Sequence, residues 1–153
     1  IPMAGAAYIG EHSFSSAERP VAQGRPDAQD MGHAESFGRK IREKLEGLTD
    51  LSQASVHVPG ESPYGGVTTL WDVDFIAVSE QCTQCGHCAE ICPMGAIAPE
   101  NSAEIDLVQC ITCCACIKAC PQQARSIKPS PVQDASVRLN TLFRERKEPE
   151  TFL

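Results

Sequence analysis

Aromatic side chains are scarce in this chain: one Trp, two Tyr and five Phe among 153 residues, 5% in all. A large core built on aromatic anchors is therefore excluded, and cohesion has to come from elsewhere. Long apolar runs are missing too. No stretch reaches the roughly 18 apolar residues that a transmembrane helix needs, and the opening Ile1-Pro2-Met3-Ala4-Gly5-Ala6-Ala7-Tyr8-Ile9-Gly10 lacks the basic start of a signal peptide. Positive charge is in deficit. Thirteen Lys and Arg against twenty Asp and Glu leave a formal net charge of −7, a balance that excludes the electrostatic footprint of a nucleic-acid binder.

Cysteine, by contrast, is abundant and patterned. Eight of the nine cysteines fall into two copies of one phrase, Cys82-x2-Cys85-x2-Cys88-x3-Cys92-Pro93 and, 28 residues later, Cys110-x2-Cys113-x2-Cys116-x3-Cys120-Pro121. Three cysteines at three-residue spacing can follow a path around one iron-sulfur cube, while a fourth on the following helix points away toward another. In runs of this kind the fourth cysteine ligates the partner cluster. The spacing thus assigns Cys82, Cys85, Cys88 and Cys120 to cluster I, and Cys110, Cys113, Cys116 and Cys92 to cluster II, both [4Fe-4S]. Zinc sites use separated Cys pairs or Cys with His rather than a repeated compact run of four. A disulfide framework does not suit nine cysteines without a secretion signal.

Cys114 stands outside the phrase. Alignment of the two copies places it at the position of Gly86, where a small residue lets backbone amides approach cluster sulfur; it reads as a small buried hydrophobe with a free thiol. His87, between two ligands, reads as a solvent-facing loop histidine rather than a ligand. Eight ligand thiolates outweigh the positive charge of two oxidised cubes, so a loaded protein is more acidic still. The expected associate is a redox protein or flavoprotein with a basic docking face, met in a salt-sensitive encounter. Unpaired thiols and oxidation-sensitive clusters imply the cytoplasm, of an anaerobe.

Along the chain, Ala6-Ala7-Tyr8-Ile9 reads as a buried strand ended by Gly10. Residues 28 to 49 carry Met31, Ala34, Phe37, Ile41, Leu45 and Leu48 on one helical stripe, with Asp27 or Asp30 as the N-cap. Pro59 to Gly66 is a Pro- and Gly-rich crossing, followed by a short strand near 75 to 79 after Trp71, a packing anchor. Within the repeat, each third cysteine opens a short helix that the next proline closes. Ile97 and Ile105 flank a polar turn and predict a hairpin. Ile91, Ile97, Ile105, Ile111, Ile117 and Ile127 supply apolar packing around the cubes. Ser130, Pro131 and Gln133 start a helix expected over 131 to 146, with Val132, Ala135, Leu139, Leu142 and Phe143 on its apolar face.

The paired phrases, with Ala96-Ile97 and Ala124-Arg125 after them, resemble the bacterial dicluster ferredoxin module over about residues 80 to 128. Gly5-Ala6-Ala7-Tyr8-Ile9-Gly10-Glu11-His12-Ser13-Phe14, Gly24-Arg25-Pro26-Asp27 and the helix with Phe37-Gly38 look like the closing strand and helix of a flavodoxin-like domain. Cys110-Ile111-Thr112-Cys113-Cys114-Ala115-Cys116 and the ending Arg146-Lys147-Glu148-Pro149-Glu150-Thr151-Phe152-Leu153 are similar to flavodoxin-ferredoxin fusion proteins of anaerobic bacteria. The resemblance implies an α+β chain. A flavodoxin-like remnant spans 1–58, a linker 59–74, a 2[4Fe-4S] domain with two short hairpins and two short helices 75–129, and a C-terminal helix and tail 130–153. It further implies electron exchange with FMN. The flavodoxin phosphate loop has no counterpart here, and Gly65-Gly66-Val67-Thr68-Thr69 is only a faint echo of it. No residue is assigned to flavin. FMN is expected only with an N-terminal half or a partner chain, the chain itself reading as the C-terminal piece of a longer protein. The expected function is electron transfer rather than catalysis; a dedicated relay subunit of a larger redox enzyme is the alternative, and clusters serving only as staples a third.

Overall fold

The computed structural model describes residues 2–61, 70 and 72–153; Trp71 and the Gly65-Gly66 stretch lie outside them. In chain order the elements are β1 (Gly5–Ala7), α1 (Ala28–Gly47), a 3-10 turn (Leu51–Ala54), β2 (Ile76–Val78), α2 (His87–Glu90), α3 (Ala115–Lys118), β3 (Arg125–Ile127), α4 (Pro131–Leu142) and β4 (Glu150–Phe152). They group into two compact units, one formed by Ile1–His12, Ala22–Gly66 and Phe143–Leu153, the other by Ser13–Val21 and Val67–Leu142. The boundaries expected in chain order differ from these units at two places. Ser13–Val21 and α4 fold with the cysteine repeat, and the tail after α4 folds with the N-terminal segments.

In the first unit, α1 starts where the sequence offers an acidic cap. Asp27 is the N-cap, its carboxylate accepting from the amides of Gln29 and Asp30, while Asp30 at N3 accepts from the Asp27 amide to complete a capping box. Asp30 is also the buried residue of this helix, and both its oxygens accept from the Arg25 guanidinium. Arg146 adds bonds to Asp27 at 2.6 Å and Asp30 at 3.4 Å. The Arg25 hydrogen bonds hold Asp30 well below the usual carboxylate range, and the Arg146 bond does the same for Asp27. At the other end Lys44 Nζ donates to the carbonyls of Met3 and Ala54, tying α1 to its neighbours.

Two expectations for this unit are corrected. The N-terminal strand is not buried: Ala6 and Ala7 are exposed, and β1 pairs antiparallel with β4, Gly5 opposite Phe152 and Ala7 opposite Glu150. A two-stranded ribbon has no second layer over its faces, so its side chains stay wet. On the α1 stripe Ala34, Phe37, Ile41 and Leu48 are partly buried, whereas Met31 and Leu45 are 60% and 40% exposed; polar bonds at Asp30 and Lys44 add to the anchoring of this helix. The flavodoxin-like fragment expected over 1–58 is not confirmed by this pairing of β1 with β4.

The second unit is organised around one apolar cluster of Phe14, Phe75, Ile76, Cys88, Ile97, Cys114, Cys116 and Val132. β2 and β3 form its antiparallel ribbon, Ile76 opposite Ile127 and Val78 opposite Arg125. The expected hairpin is present as a bridge between Ile97 and Ile105, closed by Asp106 N donating to Ala96 O at 2.8 Å. Both short helices appear where the third cysteines place them, Cys88 in α2 and Cys116 in α3. Helix α4 starts as its sequence requires, Ser130 Oγ accepting from Gln133 N, and buries Val132 completely while Ala135 and Leu139 pack on the core. It ends at Leu142 rather than 146; Leu142 and Phe143 are 62% and 42% exposed, so nothing rewards another turn. Among the isoleucines, Ile97, Ile105, Ile117 and Ile127 belong to this core or pack on it, whereas Ile91 does not join it and Ile111 is 39% exposed. Phe14, far away in sequence, enters this core, and its carbonyl accepts from Ser136 Oγ at 3.2 Å. No helix of the described residues is long and apolar enough to cross a membrane.

Candidate iron-sulfur centre

The two cysteine phrases adopt the same backbone. Non-helical positive φ values recur at a spacing of 28 residues: Gln84 (53°) with Thr112 (54°), Gly86 (76°) with Cys114 (58°), and Gly95 (62°) with Gln123 (50°). Hydrogen bonds recur with them. Ala89 N donates to Gly86 O at 2.9 Å as Ile117 N does to Cys114 O at 3.0 Å, and Gly95 N to Cys92 O at 3.2 Å as Gln123 N does to Cys120 O at 3.0 Å. Left-handed residues next to right-handed ones turn successive N–H groups toward one side, which makes a concavity suited to anions and iron-sulfur groups. The sulfur of each fourth cysteine already has such a donor: Ala96 N lies 3.4 Å from Cys92 Sγ and Ala124 N 3.3 Å from Cys120 Sγ. Amide bonds to sulfur are one of the means by which proteins set cluster potentials.

Cys82, Cys85 and Cys88 of the first phrase and Cys120 of the second line one small cavity, together with Ser102 and Arg125. Cys85 is the exposed member and Cys88 the buried one. In the other phrase Cys116 is buried, and Cys110 and Cys113 sit near enough that their charge adds to the effect of burial in raising its thiol pKa, while the Arg125 charge opposes the rise. Cys92 and Cys110 both pack against the shared core. Among the described residues no three His, Cys, Asp or Glu side chains converge tightly enough to hold a single metal ion.

Whether these residues fit a cluster is tested by Arg125. Its side chain is buried, 4% exposed, with Nη1 at 3.3 Å from Cys88 Sγ and 2.7 Å from Ser102 O. Among the described residues Nε and Nη2 are buried and make no hydrogen bond, although the guanidinium lies near enough to Cys116 to oppose the rise in that thiol's pKa. A buried cationic donor left unpaired costs roughly 1–3 kcal/mol or more, and an anionic thiolate-sulfide group in the adjoining cavity removes that deficit. The residues therefore fit an iron-sulfur cluster. Ser102 is itself fixed, its amide donating to Gln84 Oε1 at 2.8 Å.

Cys114 behaves as its alignment suggests. It is 3% exposed within the apolar core, caps α3 in the left-handed conformation as Gly86 caps α2, and its thiol lies 3.7 Å from the Thr112 carbonyl. Burial pushes its thiol up to about 12. His87 opens α2 rather than lying in a loop, and its half-exposed ring faces Glu90 at 3.5 Å. Arg125 and Ser102 are the site residues that the spacing of cysteines alone misses. Extending the repeat alignment five residues past each fourth cysteine would have exposed the first, because it sets Arg125 opposite Ile97.

Comparison with known proteins follows the same lines. Residues 67–125 match the family described as a 4Fe-4S dicluster domain. Over 96 residues, 60% of the chain, it is 29% identical to Protein NrfC of Escherichia coli strain K12 and spans 40% of that protein. Over 48 residues, 31% of the chain, it is 44% identical to a subunit of the ion-translocating oxidoreductase complex of Methanosarcina acetivorans, spanning 18% of it. The chain thus covers well under half the length of these curated relatives. No solved structure matches it. The repeat-bearing segment is thus similar to dicluster 4Fe-4S domains, and the likeness supports iron-sulfur electron transport.

Proposed function

We propose that this chain carries electrons through two [4Fe-4S] clusters, one held by Cys82, Cys85, Cys88 and Cys120 and the other by Cys110, Cys113, Cys116 and Cys92. One observation carries the reading: three cysteines of the first phrase share a cavity with the fourth cysteine of the second, the interlock that the repeat implies. Each cluster, when bound, takes up and releases one electron. The chain's own residues provide thiolates, amide donors to sulfur and a dry wall of Ile97, Phe75 and Val132. The exposure of Cys85 brings the first site to the surface, where a redox partner can approach.

A dedicated role inside a larger redox assembly is the second reading, and it is supported by the relative whose printed name makes it part of an oxidoreductase complex. A flavoprotein as the partner, with FMN as the cofactor exchanging electrons, rests on the sequence resemblance of residues 1–58 alone. The cytoplasm is the compartment proposed for thiols that must stay reduced.

Anaerobic quantification of iron and acid-labile sulfide, followed by EPR during stepwise reduction, tests the ligand assignment. About eight irons and eight sulfides per chain are expected, with two interacting [4Fe-4S] signals. Half that content, or zinc in place of iron, would overturn it.

A further inference from the structure

The two halves of the repeat share their backbone but not the residue five positions after the fourth cysteine. In the first half this is Ile97, 4% exposed, and in the second Arg125, also 4% exposed. One position is filled by hydrocarbon and its counterpart by a permanent cation. Arg125 has no carboxylate within ion-pair distance among the described residues, although the chain carries an excess of acidic side chains. Its Nη1 donates to Cys88 Sγ and Ser102 O, Nε and Nη2 make no hydrogen bond among the described residues, and the side chain borders the cavity of Cys82, Cys85, Cys88 and Cys120.

We propose that Arg125 is the buried counter-charge of the cluster held by Cys82, Cys85, Cys88 and Cys120, and that it raises the reduction potential of that cluster above that of its neighbour. Reduction adds one negative charge to the cluster. A fixed cation beside it, in a site poor in water, stabilises the reduced form more than the oxidised one, because charge interactions there are weakly screened. Ile97, the counterpart in the other half, brings no charge of its own; Arg125 also bears on Cys116 of the second site, but it lines the cavity of the first and donates to Cys88 there. Ser102 O and the Gln84 bond to Ser102 N keep the guanidinium in place. Arg125 thereby gives the two sites an order, with the electron resting on the side whose Cys85 reaches solvent.

The proposal rests on the ligand assignment above, and the test separates the two. Arg125→Gln, which keeps a donor and removes the charge, and Arg125→Lys, which keeps the charge, are prepared as holoproteins and first compared for iron and sulfide. Only then are the two potentials read by anaerobic EPR-monitored redox titration. Arg125→Gln is expected to lower one potential by at least tenfold in the reduction equilibrium, about 59 mV for a one-electron couple, while the other moves less. Arg125→Lys should stay within a few-fold of the parent. An Arg125→Gln protein with full iron content and both potentials within a factor of two of the parent would overturn the proposal. Loss of cluster assembly in Arg125→Gln alone supports a required counter-charge. Loss in both variants overturns it, since lysine retains the charge. An iron count of half in the parent protein refutes the ligand reading instead.

Discussion

Phe75→Ala removes the largest fully buried side chain of the cluster-bearing unit. The ring belongs to the core that also holds Cys88, Cys116, Ile97 and Val132, and it sits one residue before β2, where its carbonyl accepts from Lys128 N at 2.8 Å. A buried aromatic removes about 150–250 Å² from water, worth roughly 4–6 kcal/mol at about 25 cal/mol per Å². Measured Phe→Ala substitutions cost about 3–5 kcal/mol. Taking about 4 kcal/mol, the equilibrium for local opening of this core rises about a thousandfold, at roughly 1.4 kcal/mol per factor of ten. Cluster loss to an iron chelator, followed anaerobically by the fading of visible absorbance, reads that opening while reclosing is fast. Phe75→Ala should lose its clusters faster by two to three orders of magnitude, by the same arithmetic, and Phe75→Leu by much less. Val108→Ala, at a residue 82% exposed, should match the parent. Acceleration of less than about tenfold in Phe75→Ala would show that the apolar core does not guard the sites.

Cys92→Ser should remove the second cluster and spare the one in the cavity of Cys82, Cys85, Cys88 and Cys120, so that iron falls to about half while one EPR signal persists; loss of the first cluster instead would invert the interlock. Cys114→Ala should retain the full iron and sulfide content, since among the described residues its thiol bonds to the Thr112 carbonyl. Gly86→Ala places a Cβ at φ 76° with nothing within 4 Å of it. The cost is therefore conformational, about 1–2 kcal/mol, and should appear as faster cluster loss with unchanged iron content. In the other unit Asp30 has a depressed folded pKa because Arg25 bonds its carboxylate. The stability it contributes is complete above the unfolded value of about 3.9 and disappears as pH falls toward the folded one. Hydrogen exchange of the α1 amides should accelerate through that acid range, and Asp30→Asn should flatten the response and weaken protection at neutral pH.

Much of the cluster-bearing unit is legible in the sequence because its information is local. The cysteine spacing, the prolines after them, Ser130-Pro131 and the isoleucines flanking the Pro99–Ser102 turn each state their structure within a few residues. What the sequence conceals comes from contacts between distant segments. Phe14 enters a core built by residues far downstream, and β1 finds its partner in Glu150–Phe152 at the other end of the chain. Periodicity misleads on α1, where Met31 and Leu45 stay exposed and the buried anchor is Asp30. A hydrophobic stripe reports what a helix can bury, whereas the ion pair with Arg25 depends on a loop that no helical pattern describes. Arg125 was hidden differently. A lone arginine after a cluster motif reads as surface charge until its burial and missing partners are seen.

The repeat makes the difference between the halves interpretable, because backbone geometry is held constant. Several aligned positions differ, Glu90 against Lys118 with opposite charge at exposed places among them, and three others lie at turns or in the core: Gly86 against Cys114, Gly95 against Gln123, and Ile97 against Arg125. The first pair shares a left-handed cap and adds no charge, since burial keeps the Cys114 thiol protonated. Gly95 and Gln123 both lie at exposed turns with positive φ, where solvent screens whatever the side chain offers. The third pair alone sets hydrocarbon against a formal charge in a buried place, and one whose donors are left for a neighbour to satisfy. If the halves differ in potential, the sign follows from that pair: the cluster beside Arg125 is the easier to reduce, and removing the charge moves it toward its twin.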